Sequence, residues 1–197
     1  MTTNNRLPAF QKFIDDLRAA WAALPDVESR MKKGRDLLGE LVKDESMRRT
    51  CKSWPDTDGG RRNLLFYEDP DYGFVINGVV HGPNRKGSIH DHAHSWTAYG
   101  LLEGTETLDR YRRLDDGSKE GYAKLELEST VQGTPGKVDL VPPFDIHAEH
   151  GGPGRSYGLI LRSERVAGKV PQGNYNMETG LYRRIEGPNN VAYEITE

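Results

Sequence analysis

The spacing of apolar side chains changes once along the chain. Over the first fifty residues they recur every three to four positions, and Phe10, Phe13, Ile14, Leu17, Trp21 and Leu24 fall on one stripe of a helix that Pro25 would end. A second helix is predicted from Asp26, a good N-cap, through VESRMKKGRDLLGELVK, with Val27, Met31, Leu38, Leu41 and Val42 facing inward. Together the two read as a helical lid on a larger apolar body. From about Arg62 onward the period falls to two. The segments RNLLFY, YGFVINGVV, WTAYGLLEG, TETLDRYRR, GYAKLELEST, GKVDLV, RSYGLILRS, GLYRRIE and VAYEIT read as short strands, separated by Gly, Pro, Asn and Asp clusters, as in an all-β sandwich or barrel. In AKLELES, Ala123, Leu125 and Leu127 alternate with Lys124, Glu126 and Glu128, which predicts one dry and one wet face.

No repeat or linker divides the 197 residues, so the expectation is a single domain over 1–197, with a helical cover at 1–50 and a β-barrel at 60–197. The 27 basic and 30 acidic residues leave a net charge of -3, too weak a field to point to nucleic acid or an anionic membrane surface; small-molecule chemistry remains. RYRR, Arg110 to Arg113, reads as a solvated strand end. Cys51 is the only cysteine, which excludes an intrachain disulfide and favours a reducing cytoplasm. No signal-peptide core stands in MTTNNRLPAF, and no later apolar run approaches the ~20 residues of a membrane span.

Three of the six histidines crowd into SIHDHAHSW. On a strand, His90 and His92 project together while Asp91 points away; His94 continues the row unless a turn begins near Ala93, and is read as a rim group. A catalytic metal commonly takes three protein ligands and keeps positions open for substrate, so a third ligand is sought on a neighbouring strand. GKVDLVPPFDIHAEH offers His147.

The H-x-H segment, followed by G-x5-P-x4-H at Gly136, Pro142 and His147, resembles the paired motif of the cupin superfamily. The resemblance implies a double-stranded β-helix, or jelly-roll, barrel in which His90, His92 and His147 bind a divalent metal. Gly104 fits the hairpin glycine of the first motif, while its carboxylate position falls on Trp96 or Thr97, leaving three neutral ligands. With RRNLLFY ahead of GSIHDHAHSW, the chain is similar to the cysteine dioxygenase branch, the thiol dioxygenases. That likeness implies non-haem Fe(II) and dioxygen oxidising a small thiol to a sulfinate, with Arg62 binding the substrate carboxylate; Arg61 is the alternative if the register shifts by one. Three imidazoles would also accept Zn, Ni or Cu.

Thr97 stands where some members carry a cysteine cross-linked to a tyrosine. The family's Ser-His-Tyr trio is replaced by Gly158, Ile160 and Arg162, and Tyr157, Tyr99 or His150 are the candidates to supply polar groups instead. Two other readings stay open: a three-histidine oxygenase for an oxygen-chelating substrate, and a non-enzymatic binder of a metal or small ligand.

Overall fold

The computed structural model describes residues 6–57, 60–166, 168–187 and 189–196; the ends of the expected domain, 1–5 and 197, lie outside the described residues. Helix α1, Pro8–Ala23, buries Phe10, Phe13, Ile14, Leu17 and Trp21, the stripe read from the sequence. Asp26 caps α2, Val27–Leu41, by accepting the Ser29 backbone N–H at 2.8 Å. Val27, expected inside, is exposed because it opens the helix ahead of the buried turn that begins at Met31. A short α3, Glu45–Thr50, follows.

Twelve strands are present among the described residues: β1 Arg61–Glu68, β2 Val75–His81, β3 Ile89–His90, β4 Thr97–Glu103, β5 Glu106–Arg113, β6 Leu125–Gly133, β7 Val138–Val141, β8 Ile146–Gly151, β9 Ser156–Arg162, β10 Gln172–Asn176, β11 Leu181–Ile185 and β12 Val191–Ala192. They form two six-stranded sheets, β12-β1-β2-β9-β4-β7 and β11-β10-β3-β8-β5-β6, antiparallel except where β12 joins β1. The sheets face one another: Glu106 of the second accepts hydrogen bonds from His81, Tyr99 and Ser156 of the first. This is the expected β-barrel of two facing sheets with its N-terminal helices.

Period two sorts the first sheet into two faces. Leu64, Phe66, Ile76, Val80, Tyr157, Leu159 and Leu161 join the α1 and α2 side chains in one apolar cluster. Gly34 and Gly100 allow the close approach, since a Cβ at Gly34 would stand 2.5 Å from Leu161 and one at Gly100 would stand 2.7 Å from Val42. Each fully buried leucine there contributes about 1.5–3 kcal/mol. The helices therefore form the expected cover, packed on the outer face of the first sheet.

Three expectations need correction. SIHDHAHSW is not one strand: β3 ends at His90, and the chain turns through Ala93 at φ 49°. Strands β8 and β10 were not among the predicted segments, being short and mostly polar. β6 lacks the dry face read from AKLELES; it is an edge strand, and although Ala123 and Leu125 are buried, Leu127 is 47% exposed.

Candidate metal centre

His90 and His147 are paired across β3 and β8, with ring centroids 4.5 Å apart. His92 reaches the same point from the turn, 5.0 Å from His90 and 4.8 Å from His147. One nitrogen from each ring lies within 4.8 Å of the others, so the group can hold a metal ion. Asp91 holds the turn that delivers His92. Its Oδ1 accepts the Ala93 and Gly173 backbone N–H groups at 2.7 and 3.1 Å, and its Oδ2 accepts the Tyr175 hydroxyl at 2.6 Å. Asp91 thus points away as expected, and its hydrogen bonds do the work assigned to strand alternation.

The protonation of the rings follows from their partners. A carbonyl only accepts, so His90 Nδ1–H donates to Ser88 O at 3.0 Å and His147 Nδ1–H to Asp145 O at 2.9 Å. Both Nε2 lone pairs are left for the centre, the arrangement in which an outer hydrogen bond orients a ligating imidazole. His147 Nε2 and His92 Nδ1 are buried with no hydrogen-bond partner among the described residues. Orphaned buried nitrogens are costly, and a divalent cation of intermediate softness would satisfy them, so these residues fit a metal. Burial, reinforced by the neighbouring His147, pushes His90 down to about 4. Burial and the Arg162 charge push His92 well below the ordinary imidazole range. Both rings are therefore neutral at pH 7, the form that ligates.

Glu149, two residues beyond His147 on the same face of β8, places Oε1 3.7 Å from His147 Nε2, and its Oε2 has no partner among the described residues. Burial opposes its ionisation, but the adjoining imidazoles in their protonated form, together with Arg61, outweigh burial and hold the carboxyl well below its usual range. The sequence reading missed this residue. Its signal was the H-x-E spacing, which on a strand puts both side chains on one face.

Two candidates face the wrong way. Arg62 is paired with Val80 and shares the face of Leu64 and Phe66, while Arg61, paired with His81, turns inward and donates from Nε to Asn63 at 3.0 Å. Tyr157 lies in the helix-facing cluster, edge-on to Trp54 at 6.2 Å. In both cases strand parity decides, because a shift of one residue exchanges the two faces.

Gly158, Ile160 and Arg162 alternate with those helix-facing residues and line the interior, where a Cβ at Gly158 would stand 2.5 Å from the Tyr99 hydroxyl. That hydroxyl donates to Glu106 at 2.7 Å, so Tyr99 belongs to the buried Glu106–His81–Ser156 group. Arg162 Nη1 donates to the Thr97 hydroxyl at 3.3 Å. His94 is exposed and pairs with Glu164 at 3.2 Å, as a rim group would. His150 lies on the outer face, accepting Gly87 N–H at Nδ1 and donating from Nε2 to Asp109 at 3.2 Å.

No family model and no curated protein matches the chain. Solved structures do. An uncharacterized conserved protein with a double-stranded β-helix domain from Klebsiella pneumoniae is similar at 12% identity and TM-score 0.45, over 64% of this chain and 94% of that one. The cupin domain of Schizosaccharomyces pombe Cnp3 is similar at 9% and 0.42, over 53% and 65%. A recombinant oxalate oxidase in complex with glycolate is similar at 15% and 0.44, over 58% and 57%.

Proposed function

We propose that the chain is a metal-dependent dioxygenase of a single domain, 1–197, that oxidises the thiol of a small carboxylate-bearing substrate, of the cysteine or mercaptopropionate type, to a sulfinate. The overall change is RSH + O2 to RSO2H, with both oxygen atoms transferred to sulfur. The observation that carries this reading is the convergence of three buried imidazoles, two with Nδ1–H tied to a carbonyl and Nε2 free. His90, His92 and His147 would hold the metal, for which Fe(II) suits a thiol ligand and dioxygen, while Zn, Ni or Cu would fit the same nitrogens. When bound, the metal would supply coordination sites for thiolate and dioxygen.

The chain's own residues do the rest. Asp91 fixes the His92 turn, and the walls around Ile160 and Val79 keep water from the reacting sulfur. Glu149 supplies a negative charge beside the cluster and an acceptor for a substrate proton. Cys51, buried with its thiol pushed up to about 12, fits a reducing cytoplasm and stays unreactive. No helix among the described residues is long and apolar enough to cross a membrane.

A second reading rests on Gly158, Ile160 and Arg162, the residues that replace the polar trio of the thiol dioxygenases: a substrate chelating through oxygen needs no such trio. Dioxygen uptake by the Fe(II)-reconstituted protein separates the two. We expect uptake and sulfinate with cysteine or 3-mercaptopropionate. Uptake with a β-diketone alone would transfer the assignment to the second reading, and none with any of these from iron-loaded protein would sink both.

A further inference from the structure

The three histidines are not oriented alike. His90 and His147 each tie Nδ1–H to a carbonyl two residues back, Ser88 O and Asp145 O, and such a bond fixes how a ligating ring is turned. His92 Nδ1 has no such partner among the described residues. The direction of that ring therefore comes from the backbone that carries it. That backbone is a turn and not a ladder strand, since β3 ends at His90 and Ala93 stands at φ 49°.

The turn is fastened from β10. Asp91 and Gly173 bond to each other twice, Asp91 N–H to Gly173 O and Gly173 N–H to Asp91 Oδ1, both at 3.1 Å. Tyr175 completes the fastening, its hydroxyl donating to Asp91 Oδ2 at 2.6 Å. A Cβ at Gly173 would stand 2.1 Å from Asp91 Oδ2, so the missing side chain is what lets the carboxylate reach its place. Asp91 and Tyr175 are both buried. A buried carboxylate is costly unless its oxygens are hydrogen-bonded, and Tyr175 supplies the bond to Oδ2.

We infer that Tyr175 is a positioning residue of the three-histidine centre: through Asp91, its hydroxyl sets the direction of His92, the ring that lacks an Nδ1 hydrogen bond of its own. This rests on the metal reading above and extends the site to β10, a strand that carries none of the three rings. The effect is selective. Loss of the hydroxyl loosens His92 and leaves His90 and His147 to their own carbonyls.

The test is a cobalt(II) titration of the full chain, read by the visible absorption bands of the bound ion. Tyr175→Phe removes only the hydroxyl; it should shift the bands and weaken binding about tenfold or more, the loss common when a group that orients a ligand is removed. Tyr182→Phe is the control, because that ring packs against Tyr175 at 4.9 Å while Asp91 takes its hydroxyl bond from Tyr175; affinity and bands should stay those of the wild type. Asp91→Asn, which keeps the shape and weakens the same bond from its other end, should repeat the loss and carries the test should Tyr175→Phe fail to fold. A lower melting temperature for Tyr175→Phe with unchanged affinity and bands would overturn the inference, as would equal losses in the two tyrosine variants. If the wild type takes up no cobalt, the metal reading fails by itself, and the imidazole NMR signals of the metal-free protein decide. Movement of the His92 signals alone in Tyr175→Phe upholds the positioning role; unmoved His92 signals, or all three rings moving alike, remove it.

Discussion

Burial makes the three histidines ligands in waiting: His90, His92 and His147 are 9%, 2% and 0% exposed, and His147 Nε2 and His92 Nδ1 have no described partner. Glu149 places a carboxylate beside this set, 3.7 Å from His147. Glu149→Gln should therefore weaken metal binding about tenfold or more, as loss of a residue flanking metal ligands commonly does. Competition with a chromophoric chelator reads this, and an unchanged affinity would make Glu149 a bystander. At this scale, spacing was legible and parity was not. H-x-H and G-x5-P-x4-H located the three imidazoles because a motif states which residues meet. Which of Arg61 and Arg62 turns inward, and that Tyr157 turns outward, depends on a register that only strand pairing sets.

Strand β9 shows what an element must satisfy on both sides. Tyr157, Leu159 and Leu161 hold the helices, while Ser156, Gly158, Ile160 and Arg162 shape the interior. Leu161, fully buried beneath Gly34, anchors the helical layer from the helix-facing side of β9. Leu161→Ala should cost about 2–5 kcal/mol in urea unfolding while the folded protein keeps its metal; loss of metal from the folded variant would tie the helical layer to the site directly. The helices were legible because a 3.6-residue stripe over 16 residues is a long signal. β3, with two residues, carries too few positions to show a period.

For the whole molecule, acid acts through the unfolded chain. Burial holds His81, His90 and His92 below their usual value of 6.5, His90 at about 4, so the unfolded chain takes up protons that the folded one refuses. Stability of the metal-free protein is thus full above about pH 6.5 and falls toward pH 4, His90 alone contributing about 1.4 kcal/mol per pH unit and His81 and His92 acting in the same direction. A bound metal opposes this loss by favouring the folded, neutral rings. The central claim is the metal centre itself, and the most direct test is the metal content of the dialysed protein at pH 7, wild type against His147→Ala, with circular dichroism to verify the fold. The account requires close to one transition-metal ion per wild-type chain and almost none in a folded His147→Ala; full occupancy in that variant would contradict it.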